Sequence, residues 1–141
     1  MPGNIMDSGE FAGWQYWPED PFEKAAGPFY MTETDEGVVC AFRVQPHQVN
    51  GMGSVHGGCF MTFADFCLFG FAQKELAPSG YGVTVGMNTE FLAGARIGER
   101  VEARGEVLRA GGSLIFVRGV VTCEGNPCLN FSGTIKRLRQ R

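Results

Sequence analysis

At 141 residues the chain fits one domain, which at this size buries roughly 70% of its unfolded surface without staples. A net charge of −3 and a pI near 5.4 exclude the basic footprint of a nucleic-acid binder. The five cysteines (Cys40, Cys59, Cys67, Cys123, Cys128) form no C-x-x-C pair, so they read as reduced, core-filling thiols of a cytoplasmic protein.

No basic segment followed by an apolar run opens the chain, so no secretory signal is expected. Residues 1–27 read as an N-terminal arm without periodicity that packs by Trp14, Tyr16 and Trp17 and ends in a short helical turn at 21–26. The domain proper is expected at 28–141. Two strands follow, near 28–34 and 37–45, joined by the turn Thr34-Asp35-Glu36-Gly37. On the second, Val38, Cys40, Phe42 and Val44 alternate with other residues, as a one-faced strand requires. A loop at 46–55 leads into a helix over about 57–75, which Pro78-Ser79-Gly80 ends. Four strands close the chain, near 81–93, 99–109, 113–123 and 127–138, with turns at Gly111-Gly112 and Glu124-Gly125-Asn126. Two strands, one long apolar helix and four more antiparallel strands predict an α+β fold, a curled antiparallel sheet wrapped around a fully covered central helix.

That helix contains the most informative residue. The run from His56 to Ala72 is apolar on nearly every side, and such a helix belongs in a core. The segment from 59 to 72 is too short to span a bilayer, and Asp65 interrupts it, so no membrane association is expected. A carboxylate there costs several kcal/mol unless it is paired or hydrogen-bonded. Two glycines at the helix start are also unfavourable in a helix. Local rules broken twice on one short helix mark a functional site.

Gly58 and Asp65 share a stripe, because seven residues make nearly two turns. Glycines at a helix start expose backbone N–H groups at the positive end of the dipole, which suits an anion or a developing oxyanion. Asp65 suits a general base or a nucleophile. Gly58 and Asp65 stand roughly 10 Å apart along the axis, whereas both must come within about 3 Å of one reacting group. Two antiparallel copies of the helix solve this. The expectation is a composite site at a homodimer interface, present twice by symmetry.

Asn50-Gly51-Met52-Gly53-Ser54-Val55-His56-Gly57-Gly58, followed by Thr62-Phe63-Ala64-Asp65, resembles the signature of the hotdog-fold acyl-CoA thioesterases, most closely the PaaI-type branch. The run Val83-Thr84-Val85-Gly86-Met87-Asn88-Thr89-Glu90-Phe91-Leu92 is similar to that family's next strand, and the likeness spans about 36–137. The resemblance implies a hotdog fold, a dimer or dimer of dimers, an acyl-CoA substrate, and no metal or redox cofactor. It implies that Asp65 activates water or attacks the thioester directly. The N–H of Gly57, with Gly58, polarises the carbonyl; His56 and Asn50 orient the site; Thr84 holds the water near Asp65.

Blander roles compete at several positions. Asn50 is a turn residue by default, Thr84 has ordinary strand propensity, and Cys59, Cys67 and the helix phenylalanines read as packing. The tail Lys136-Arg137-Leu138-Arg139-Gln140-Arg141 reads as a solvated basic terminus rather than a CoA-phosphate contact. The reading favoured is acyl-CoA hydrolysis, with the acyl group and the carrier (CoA or acyl carrier protein) left open. Its rivals are a hotdog dehydratase or hydratase and a non-catalytic acyl-CoA-binding protein.

Overall fold

A computed structural model describes residues 2–139. In chain order it contains β1 (Asn4–Ile5), β2 (Gln15–Tyr16), α1 (Pro21–Ala26), β3 (Tyr30–Thr34), β4 (Gly37–Arg43), α2 (Gly57–Phe71), α3 (Gln73–Leu76), β5 (Tyr81–Phe91), β6 (Arg100–Ala110), β7 (Leu114–Cys123) and β8 (Asn126–Leu138). A single antiparallel sheet runs in the order β1-β2-β3-β4-β6-β7-β8-β5. The α2 helix packs on β4, β6, β7 and β8, giving the α+β architecture expected.

Alternation sets the inner face. Val101 and Ala103 on β6, Ile115, Val117, Val121 and Cys123 on β7, and Leu129, Phe131 and Ile135 on β8 are all buried. The β7–β8 hairpin turns through Glu124 (φ 53°) and Gly125 (φ 82°), the paired positive φ values of a type I′ turn. Gly105 and Gly119 face each other across β6 and β7. An added Cβ on Gly119 would lie 2.9 Å from the Phe71 ring, so the paired glycines form the dent in which the end of α2 is seated.

Several features depart from the sequence reading. The first of the last four strands, β5, does not lie beside β6. It crosses to the far edge of the sheet and pairs with β8, while β4 pairs with β6. The helix expected over 57–75 breaks at Ala72 (φ −99°, ψ 11°) into α2 and α3, with no proline or glycine at the break to announce it.

Strand β4 is buried on both faces rather than one, because the arm covers its second side. Ala41 lies beneath Phe11 and Tyr30, whose rings stack at 4.3 Å. The arm also contributes β1 and β2 to the sheet. Glu10 accepts from Arg43 at 2.8 and 2.7 Å, and the Arg100 guanidinium lies over the rings of Phe11 and Trp14. Finally, α2 is not fully covered. Gly58 and Met61 are exposed, and Thr62, Asp65 and Phe69 are half-buried, at the i, i+3, i+4 spacing of one open stripe.

Of the basic tail, Gln140 and Arg141 lie outside the described residues. Arg137 is not a solvated end: it is half-buried and donates to the carbonyls of Gly111, at 3.0 Å, and of Glu75. Among the described residues no helix is long and apolar enough to cross a membrane.

Candidate active site

The loop before α2 is organised by its own polar groups. Asn50 Oδ1 accepts from the N–H of Met52 at 2.9 Å and of Ser54 at 3.2 Å, and Asn50 N–H donates to the Ser54 carbonyl at 2.7 Å. Its carboxamide oxygen is thereby committed to the turn, and Asn50 shapes the approach to α2 from there. The His56 N–H donates to the Gln48 carbonyl at 2.9 Å. Gln48 is buried, and its Nε2 donates to the Ala26 carbonyl at 3.0 Å, tying this loop to the end of α1. Nothing in the sequence pattern singles Gln48 out, since its importance lies in a bond between segments 22 residues apart.

His56 is the N-cap of α2, and its Nδ1 accepts from the Gly58 N–H at 2.9 Å. The proton therefore sits on Nε2. The Gly58 N–H is engaged, whereas the Gly57 N–H, in the first turn where no intrahelical acceptor exists, donates to no group among the described residues. Thr62 Oγ1 donates to the Gly58 carbonyl at 2.8 Å, which closes the first turn. A Cβ on Gly57 would lie 3.3 Å from the Phe91 ring, so the bare backbone keeps this approach open. A cavity of about 300 Å³ opens between α1 and the start of α2, with Phe22, His47, His56, Gly58, Cys59 and Thr62 in its wall.

Asp65 lies two turns further on, along the open stripe. Thr84, from β5, donates its hydroxyl to Asp65 Oδ1 at 2.5 Å, so strand and helix meet at the carboxylate. Asp65 Oδ2 meets no donor among the described residues. The cavity at the helix start includes neither Asp65 nor Thr84. The structure thus brings Asn50, His56, Gly57 and Gly58 together at the start of α2, and Asp65 and Thr84 at its middle.

Burial pushes the Cys59 thiol up to about 11. It holds the Cys67 thiol well above its ordinary value too, with Cys40 and Asp65 adding to the effect. Neither thiol is a nucleophile at neutral pH. Among the described residues no cluster of His, Cys, Asp or Glu could hold a metal ion.

The model of the thioesterase superfamily matches residues 52–129, which contain the helix start, Asp65 and Thr84. Acyl-coenzyme A thioesterase 13 of Homo sapiens is 30% identical over 98 residues, covering 67% of this chain and 68% of that one. A point variant of the phenylacetic acid degradation protein PaaI of Thermus thermophilus superposes with a TM-score of 0.72 at 26% identity, over 84% of this chain and 100% of that one. The E. coli PaaI protein shares the fold, with a TM-score of 0.71 at 24% identity over 85% of this chain and 86% of its own. The chain belongs to the thioesterase superfamily and is a PaaI-like thioesterase with the hotdog fold.

Proposed function

We propose that this chain hydrolyses acyl-CoA thioesters to a free acid and CoA, at a composite site made by two copies of the chain. The observation that carries the reading is the Asp65 carboxylate on the open stripe of α2, with Oδ1 held by Thr84 and Oδ2 left to act. The human relative, named an acyl-coenzyme A thioesterase, supports CoA as the carrier.

A thioester carbonyl is electrophilic enough to react without a metal once a base and an oxyanion donor are in place. Asp65 takes a proton from water as the water adds to the carbonyl. The tetrahedral intermediate then expels the thiolate, which receives that proton and leaves Asp65 ionised for the next cycle. In the nucleophilic alternative, Asp65 attacks first and water hydrolyses the resulting anhydride. In both, the Gly57 N–H, at the positive end of the α2 dipole, holds the carbonyl oxygen as it gains charge. The His56–Gly58 bond supports Gly57 as the donor and His56 as the group that fixes its direction.

The distance along α2 argues for two copies. Gly57 and Asp65 are separated by eight residues, roughly 12 Å of rise, too far for one thioester to meet both in one subunit. An antiparallel second α2 along the stripe of Met61, Thr62, Asp65 and Phe69 brings the start of one helix to the middle of the other. Strand β5 ends the sheet and brings Thr84 to that stripe, so its outer edge lies free for a second copy to pair with.

The test is thiol release, followed with a chromogenic disulfide, from phenylacetyl-, hydroxybenzoyl- and short- to long-chain acyl-CoAs. Asp65→Asn is expected to fold and to lose about 10²- to 10⁴-fold in turnover. Full turnover in that variant would end the case for Asp65, and a protein silent on CoA esters but active on acyl carrier protein thioesters would change the carrier.

A further inference from the structure

Gln48 is a polar residue at 2% exposure, and it precedes the residues matched by the superfamily model. Burying a carboxamide is unfavourable unless its polar atoms are hydrogen-bonded. Both ends are: Oε1 accepts from the Gln45 N–H at 2.8 Å, and Nε2 donates to the Ala26 carbonyl at 3.0 Å. The backbone N–H of Gln48 donates to the Gln45 carbonyl at 3.0 Å. Beside it, His47 Nε2 donates to the Gly27 carbonyl at 2.7 Å. Residues 45–48 are thereby fastened to the end of α1.

The fastening reaches the start of α2 through the backbone. Val49 bridges Val55 across the Asn50 turn, which brings the chain back to Gln48. There the Gln48 carbonyl accepts the His56 N–H at 2.9 Å. His56 in turn accepts three N–H groups of the first turn of α2. Gly58 donates to its Nδ1 at 2.9 Å, and Cys59 and Phe60 donate to its carbonyl at 2.8 and 3.1 Å. The His56 carbonyl and the Gly57 N–H belong to one planar peptide, so fixing the first fixes the direction of the second.

We propose that Gln48 is a positioning residue of the hydrolytic site, whose carboxamide fixes His56 and, through the His56–Gly57 peptide, the aim of the Gly57 N–H. The proposal rests on the reading of Gly57 as the oxyanion donor. Such donors act by being preorganised, so a donor free to tilt loses effect without being removed. A misplacement of about 1 Å can cost about 100-fold in rate. Charge develops on the carbonyl oxygen only in the transition state, so the loss falls on kcat and not on KM. A carboxamide is needed because one end must accept and the other donate. Glutamate has the length but no donor for the Ala26 carbonyl, and methionine has neither group.

Thiol-release kinetics of Gln48→Met and Gln48→Glu test it, and the apolar variant carries the test alone if the charged one does not fold. Each is expected to lower kcat about 10- to 100-fold while KM stays within about twofold. Gly119→Ala separates positioning from stability, since it overpacks the sheet at the far end of α2. It is expected to lower the urea midpoint and to keep kcat. A nitrogen-detected spectrum of His56 Nδ1 needs no turnover, and its resonance is expected to shift in Gln48→Met as the bond from Gly58 loosens. Wild-type kcat in Gln48→Met, or a loss in Gly119→Ala as large, would overturn the proposal. Full turnover in Gly57→Val would end the donor reading and this proposal with it. An unmoved His56 resonance beside an inactive Gly57→Val would overturn the role of Gln48 alone.

Discussion

Thr84→Val isolates a single contact of the site. The substitution removes one hydroxyl, keeps the branched shape and suits a strand, so β5 and its pairing with Ile135 on β8 are retained. What is lost is the 2.5 Å hydrogen bond to Asp65 Oδ1. A hydrogen bond to a charged group contributes about 1.5–3 kcal/mol. Asp65 is half-buried and water reaches it, so the lower part of that range applies. With about 1.4 kcal/mol per decade of rate, kcat is expected to fall about ten- to thirtyfold. KM should hold, because the hydroxyl bonds Asp65, the proposed base. Thr84→Ser, which keeps the donor, should retain most of the activity. Thiol-release kinetics of both variants, alone and combined with Asp65→Asn, decide the matter. In the Asp65→Asn background, removing the hydroxyl should change nothing further. Wild-type kcat in Thr84→Val, or an equal loss in both backgrounds, would refute the idea that Thr84 acts through Asp65.

Three other outcomes are expected. Gly57→Val and Asp65→Asn should each be inactive alone, yet a mixed dimer should regain activity, because one of its two composite sites is intact; a mixture as silent as its parents would argue for a site within one subunit. Gly119→Ala would place a Cβ 2.5 Å from Phe131 Cζ and 2.9 Å from the Arg104 carbonyl oxygen. Overpacking of this kind costs about 1–3 kcal/mol, read as a lower urea midpoint, and an unchanged midpoint would show that the dent under Phe71 is loosely filled. The hydrogen bond from Arg43 holds the Glu10 carboxyl below its ordinary value of 4.5. A depressed carboxyl contributes stability that is present above its unfolded value and lost as pH falls through its folded one. Tryptophan fluorescence should therefore report loosening of the arm in acid, and Glu10→Gln should be loosened already at neutral pH.

Much of this molecule is determined by local pattern. Alternation on β6, β7 and β8 names the buried face, because side chains on a strand point to opposite sides in turn. Paired glycines after His56 announce a helix start with accessible backbone, and the spacing to Asp65 follows from 3.6 residues per turn. The same rise is the reason the proposed site draws on two subunits. The residue types of the candidate site are therefore legible from the sequence.

Tertiary structure alone decided where those pieces meet. A strand's pattern says which face is buried and not which strand lies beside it, so the crossing of β5 to the far edge, which delivers Thr84 to Asp65, has no local signal. The second buried face of β4 depends on an arm that returns from more than twenty residues away to cover Ala41. The open stripe of α2 is invisible in a sequence that is apolar all round, because composition cannot tell a face covered by the sheet from one left for another chain. Glu23 shows the same limit most plainly. A glutamate in a short helix reads as solvated, and only the path of the chain buries its Oε1 against the arm.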